Sequence, residues 1–431
     1  MRKRRASFAL FTLSLMFFSL CTTSSVYPSG FSFFEHGAKA AGMSGAFTAQ
    51  ADDPSALFHN AGGLAFFDGR KISLGTNLLA IPHSTYRGLD AFAGASGEQV
   101  KQVFIPSHFY YIQPINDAWK FGFGFNSPFG LASKWKDPDK WPGRFISTKA
   151  NLVSFDLNPS LGYQVNSKFG IGGGAIFRFS KVELLRRQQL RSPLPPNPLL
   201  EVADVRLKSN TEAGFGWNVG LLHKATDKFS WGASYRSRMK VDYSGKGRFS
   251  QILTGVAPFD AAVARSLPFN QDIPIETAIR FPDTGSLGLA YAFSEKLLVE
   301  TDVNWTGWRR FGKVDINFPQ NRTLNATIPE NWKSVFNYRT GVRWTQNPTS
   351  EWRFGYFFDT TPQPVASLNP LLPDANRNGF SAGYGHRGKR AGTDFYAMIV
   401  PFNSRTTRVN REGFNGTYET TVLVFGATLN W

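Results

Sequence analysis

The chain has 431 residues, a formal charge of +17, one cysteine and 15% aromatic residues, with forty-one Phe and eleven Trp. Beyond the N-terminus no stretch supplies the roughly 18 to 20 apolar residues a membrane helix needs, which excludes a helical membrane protein. Cys21 as the only thiol excludes a disulfide framework.

The first element is a secretory signal. Arg2, Lys3, Arg4 and Arg5 precede an apolar run from Phe8 to Leu20, and small residues follow at Thr22 to Ser25. The pattern is too short for a spanning helix and is expected to be cleaved between Cys21 and Gly30, giving a signal region of residues 1–28. Leu20 before Cys21 does not match a lipoprotein site. In an exported chain the positive charge points to lipopolysaccharide phosphates and anionic solutes, not to nucleic acid.

Residues 29–69 are rich in Gly and Ala, with phenylalanines at Phe31, Phe33, Phe34, Phe47, Phe58, Phe66 and Phe67. Small residues permit close packing in a confined space, and the phenylalanines argue against disorder. A hatch that plugs a barrel lumen is expected here.

Residues 70–431 read as an antiparallel barrel of about fourteen strands: 71–83, 102–114, 119–127, 152–165, 169–185, 211–224 and 229–246, then 278–294, 296–318, 335–346, 351–361, 379–387, 393–405 and 418–431. Short connections such as 166–168, 226–228 and 347–350 alternate with long ones such as 128–151, 186–210 and 247–277. Short periplasmic turns and long outer loops are the usual asymmetry of outer-membrane barrels. The last strand alternates without a break: Leu423, Phe425, Ala427, Leu429 and Trp431 share one face. The fold class is therefore all-β, a transmembrane antiparallel barrel with an N-terminal hatch.

Parity along the strands sends Trp119, Phe121, Phe123 and Phe125 to lipid and Lys120, Gly122, Gly124 and Asn126 to the lumen. The same parity turns Arg178, Arg236, Arg238, Arg339, Arg343 and Arg353 inward, with Asp156, Glu300, Asp302 and Asp359. Charges on a spanning wall belong on its watered or paired side. The arginines are candidate partners for an acid head group, or structural pairs for those carboxylates. Apolar residues in the long loops (Phe129, Leu131, Trp135, Trp141, Leu199, Leu200, Leu253, Phe259) form capture patches or a lid.

Ser29-Gly30-Phe31, the Gly/Ala stretch, Asp52-Asp53 and Phe58-His59-Asn60-Ala61-Gly62-Gly63 resemble the hatch of the FadL family. The resemblance continues through Asn126-Ser127-Pro128-Phe129-Gly130-Leu131, Leu157-Asn158-Pro159-Ser160-Leu161-Gly162-Tyr163, Phe281-Pro282-Asp283-Thr284 and Asp302-Val303-Asn304-Trp305-Thr306-Gly307-Trp308. It covers the mature chain in order, with one departure: the family's Asn-Pro-Ala hatch signature reads Asn60-Ala61-Gly62. The resemblance implies passive transport of long-chain fatty acids or other hydrophobic compounds, by loop capture, a lumenal pocket, hatch movement and lateral exit beside a kinked strand. On that basis Phe31, Phe33, Phe129 and Leu131, with Arg178, Arg236, Arg339, Arg343 and Arg353, are candidate ligand contacts. Gly122, Gly124, Asn126, Ser127 and Pro128 are the candidate lateral exit, the glycines making the strand deformable.

Other motifs carry less. Asp374 to Gly379 opens like a calcium loop, but Gly385 stands where the closing glutamate belongs. Gly170 to Gly174 is a glycine-rich strand with no helix after it. Ser107 and His108 point to opposite faces and cannot share a proton, and the histidines lack metal spacing, so neither an enzyme nor a metal or cofactor is expected. Further expectations are a monomer and insertion by the barrel-assembly machinery. The alternatives are an aromatic or alkane hydrocarbon channel and a general porin.

Overall fold

The computed structural model describes residues 30–431; the export signal lies outside the described residues. Period-two alternation gives extended backbone with one face for lipid and one for the interior. Fourteen strands carry it: β1 (Lys71–Gly88), β2 (Ser107–Pro114), β3 (Trp119–Asn126), β4 (Lys149–Gln164), β5 (Phe169–Arg191), β6 (Glu212–His223) and β7 (Phe229–Arg236). They continue with β8 (Thr284–Ala292), β9 (Leu297–Thr306), β10 (Val335–Asn347), β11 (Ser350–Asp359), β12 (Arg377–Arg387), β13 (Gly392–Pro401) and β14 (Gly416–Asn430). Each pairs antiparallel with the next, and β14 closes the ring on β1, from Ser73 opposite Asn430 to Gly88 opposite Gly416. Closure removes the free edges that would otherwise template other chains.

The observed strands follow the expected ones, with three informative differences. First, the span 186–210 expected as a loop is largely strand: β5 runs to Arg191 and pairs with Leu199–Ser209. Buried Val205, Leu207 and Ser209 alternate there with exposed Asp204, Arg206 and Lys208, so one face has a core of its own above the barrel. That outer sheet continues through Met239–Gln251 and Asp272–Phe281, and helix Ala257–Ser266 packs against it.

Second, the strand expected over 229–246 is two strands. It breaks at Ser237, whose backbone N–H bonds the Trp217 carbonyl and whose hydroxyl accepts from the Trp217 N–H, both at 2.8 Å. The break resets the parity: Arg236 is buried, whereas Arg238 is exposed. Arg238 therefore does not face the lumen as its parity suggested.

Third, the ladder between β2 and β3 stops early. β3 pairs with β2 as far as Phe125 opposite Phe109. Above that point, the ladder of Gln102–Phe104 is with β1 and that of Gly130–Lys134 with β4, not with each other. The two walls meet again at the single bridge between Gln99 and Trp135. A window in the wall lies between.

The N-terminal segment is buried among inward-facing side chains from all round the ring. The Ala38 N–H bonds Thr428 Oγ1 on β14 at 2.9 Å, and Asn60 Nδ2 bonds the Leu221 carbonyl on β6 at 2.9 Å. Asn60 also caps the 3₁₀ helix Ala61–Phe66 by accepting from the Gly62 N–H, so this turn forms without the proline. Glycines on the wall make room for it: a Cβ at Gly172 would stand 2.1 Å from the Ala61 carbonyl oxygen.

Candidate functional site

Where the β2–β3 ladder stops, the chain after Asn126 turns inward and pairs with the N-terminal segment. Phe33 donates its N–H to the Pro128 carbonyl (2.8 Å), Gly130 donates to the Phe31 carbonyl (3.1 Å), and Ser32 bridges Phe129. Pro128 has no N–H to offer a neighbouring strand, which suits a strand leaving its sheet.

Behind the window lies a cavity of ≈ 580 Å³, bounded by Phe33, Phe104, Phe125, Leu131 and Val422. That volume is within the range of small-molecule sites. Glu35, Asp374 and Arg377 supply its ionisable groups. A second cavity of ≈ 100 Å³ lies towards the outer sheet, lined by residues such as Leu184, Ile275 and Ile316. Phe31, Leu131, Leu152 and Leu372 border both, so they form the partition between them.

Phe31 is held in that partition by an aromatic cage. Its ring lies 4.6 Å from Trp308, 5.5 Å from Phe311, 5.7 Å from Trp332, 6.0 Å from Phe129 and 6.2 Å from Phe281. Most of these contacts are edge-on, an arrangement that adds about 0.5–1.5 kcal/mol per pair beyond burial.

Of the residues singled out from sequence, Phe31, Phe33, Phe129 and Leu131 border the larger cavity, as does Ser127. The five arginines do not border it; each has a structural partner instead. Arg178 makes a two-pronged pair with Asp156 (both 2.8 Å) and lies over the rings of Phe129 and Phe281 at 4.4 and 4.6 Å. Arg236 bonds the Phe58 carbonyl and stands 4.0 Å from Asp156. Arg339 joins Asp359 to the Ser44 carbonyl, Arg343 pairs with Asp52 at 2.8 Å, and Arg353 pairs with Asp394 at 2.7 Å and with Glu351.

Glu300 and Asp302 hold the N-terminal segment rather than arginines. Asp302 Oδ2 accepts from the N–H groups of Phe47 and Thr48, both at 3.0 Å, while Glu300 accepts from those of Ala49 (2.5 Å) and Gln50 (3.1 Å). Gly122 and Gly124 lie below the window within a fully paired strand. A Cβ at Gly122 would meet Leu57 at 2.7 Å, so this glycine makes room for the N-terminal segment rather than kinking the wall. Trp135 and Trp141 are buried and stacked at 3.8 Å, so they pack on each other rather than form an exposed patch, whereas Leu253 and Leu199 remain exposed.

Sequence reasoning missed Arg377, which sat inside a loop read as calcium-like, and Glu330, whose carboxyl lines the outer cavity. Burial pushes the Glu330 carboxyl up to about 8. No group of three or more His, Cys, Asp or Glu among the described residues could hold a metal ion.

Comparison with known proteins agrees with this geometry. The chain is 24% identical over 342 residues to the long-chain fatty acid transport protein of Salmonella typhi, covering 75% of each. It is also 24% identical over 421 residues to a putative outer membrane protein of Neisseria meningitidis, covering 91% of this chain and 90% of that protein. The crystal structure of a Pseudomonas aeruginosa FadL homologue superposes with a TM-score of 0.83 at 21% identity, covering 94% of this chain and 99% of that one. The Pseudomonas putida toluene transporter TodX gives a TM-score of 0.73 at 17% identity, covering 92% and 99%. The family model described as "Outer membrane protein transport protein (OMPP1/FadL/TodX)" matches residues 19–431. With its closed fourteen-stranded ring, windowed wall and internal N-terminal segment, the chain belongs to this family of outer-membrane transport proteins.

Proposed function

We propose that the chain passively transports hydrophobic compounds, long-chain fatty acids foremost, from loop capture through the two cavities to lateral exit at the β2–β3 window. The observation that carries this reading is the ≈ 580 Å³ cavity whose borders include Phe104 and Ile105 on one side of the window and Ser127 and Phe129 on the other. An apolar solute gains nothing by entering water, so a path ending in the wall delivers it to lipid instead of to the periplasm. Residues 29–69 serve as the hatch: Phe31 and Phe33 reach the cavity and the inturned strand, and hatch movement changes both together.

The names of the relatives support a fatty acid, and Arg377, which pairs with Asp359 at 3.0 Å, brings one cationic side chain to the cavity border. A second reading, uptake of aromatic or alkane hydrocarbons, is favoured by the aromatic cage and by the absence of cations among the described residues that line the outer cavity. A general porin is opposed by the segment packed within the ring. The closed ring favours a monomer. Lipopolysaccharide contact and insertion by the barrel-assembly machinery complete the proposal.

The test is uptake of labelled oleate and labelled toluene by cells lacking their own hydrophobic-solute porin, with and without this chain. Oleate uptake supports the leading reading and toluene alone the second. Uptake of neither, with a large steady bilayer current, would return the porin.

A further inference from the structure

We infer that Glu330 sets which ligands the outer cavity admits: uncharged molecules, including a fatty acid in its protonated form, pass, and anionic head groups are turned away. The inference rests on the transport reading and names the form in which that site takes its substrate.

The outer cavity is apolar over most of its lining, and its ionisable side chains are Glu183, Tyr243 and Glu330; no lysine, arginine or histidine among the described residues lines it. Two of the three are already satisfied. Glu183 pairs with Lys149 and Arg206, and the Tyr243 hydroxyl donates to Ser180 Oγ at 2.8 Å. Glu330 differs. It is 3% exposed, and its Oε2 accepts from Trp332 Nε1 at 2.8 Å. Its other carboxyl oxygen has no hydrogen-bond partner among the described residues. The charged groups acting on it from the neighbouring loop are Arg411 and Glu412, of opposite sign.

A ligand carboxylate entering this space would shed its water and meet no cation to replace it. It would instead meet an acid, and two carboxyl groups sharing a dry site cannot both ionise. Burial keeps Glu330 protonated near neutral pH. In that form it donates a hydrogen bond to a hydroxyl, a carbonyl or a neutral acid. Trp332, which orients the Glu330 carboxyl, also belongs to the cage around Phe31. The selecting group thus stands beside the partition through which a ligand reaches the larger cavity.

The test measures binding of 1-hexanol and of hexanoate by calorimetry on the full mature chain in lipid nanodiscs, with empty nanodiscs as the blank. At about pH 7, wild type and E330Q are expected to bind hexanol at least about tenfold tighter than hexanoate, and E330K to narrow that ratio at least about tenfold. The E330K ratio reports whether residue 330 faces the ligand, whereas a merely structural role for Glu330 would leave the pH profile of hexanol binding the same in wild type and E330Q. Should E330K fail to fold, raising the pH from about 6 to about 9 is expected to weaken hexanol binding to wild type but not to E330Q. Equal binding of both ligands to wild type, an unchanged ratio in folded E330K, or identical pH profiles would overturn the inference while leaving transport intact. Binding of neither ligand, together with no oleate or toluene uptake, would overturn the transport reading as well.

Discussion

Phe33 donates its backbone N–H to the carbonyl of Pro128 at 2.8 Å, which makes the N-terminal segment and the inturned third strand one hydrogen-bonded unit. Neither can move far without the other. The same few residues border the cavity and the window, so the contact couples the position of the N-terminal segment to the shape of the window.

Phe31→Ala would empty the aromatic cage. Truncating a buried Phe costs about 3–5 kcal/mol, and here the loss falls on the seating of the N-terminal segment rather than on the strand ladder. The barrel should still show its heat-modifiable migration. The emission of Trp308 and Trp332 should shift to the red, and protease should cut the segment faster. Unchanged emission and cleavage would show that the cage does not seat the segment.

The double substitution Glu300→Ala with Asp302→Ala removes the acceptors for four backbone N–H groups between Phe47 and Gln50. A net hydrogen bond contributes about 0.5–1.5 kcal/mol, and four together are enough to loosen the N-terminal segment. Steady conductance in a planar bilayer should rise several-fold over wild type. No rise would mean the hatch is held by its packing alone.

Arg178→Ala should destabilise the barrel by up to about 3–5 kcal/mol, because it removes the two-pronged partner of buried Asp156 and leaves only Arg236 at 4.0 Å. Adding Asp156→Ala should recover part of that loss, as measured by urea unfolding in detergent. Equal costs for the single and double variants would argue against the pair as the source of the effect.

Glu330 gives the outer loops a pH dependence with a defined sign. Its carboxyl has an ordinary value of 4.5 and is pushed up to about 8 in the fold, first by burial and then by Glu412 against the pull of Arg411. The packing it supports is therefore complete below about 4.5 and is lost as pH rises through about 8. Protease cleavage within residues 307–334 should accelerate over that window in wild type and stay flat in E330Q.

Much of the barrel was legible because a spanning wall must alternate, and the alternation of β14 or of Trp119 to Asn126 survives every local irregularity. Where one residue falls out of register the inference fails at once: the break at Ser237 sends Arg236 inward and Arg238 outward. Of the six arginines read as lumenal, Arg178, Arg236, Arg339, Arg343 and Arg353 do turn inward and Arg238 does not, and their pairing across the ring depends on distances that no single strand records. The same limit applies to the cage. Phe31 meets Phe281, Trp308 and Trp332 only after some 250 residues of chain have closed the ring, so composition announces aromatics but not their meeting place. Glu330 sits in a loop, where no period reveals which way a side chain faces, and Arg377 opens β12 two residues before the stretch read as strand.

The most direct test of the account is a reversible lock between the hatch and the inturned strand. Ser32 and Phe129 are antiparallel partners, and such positions bring Cα atoms to about 4.5–5.5 Å, within disulfide range. Once the signal carrying Cys21 is removed, the S32C/F129C chain should have no other thiol to compete. Uptake of labelled oleate and toluene should fall at least about tenfold when the pair is oxidised and return on reduction, if ligand must move this contact to reach the window. Equal uptake in the oxidised and reduced states would contradict the path proposed here.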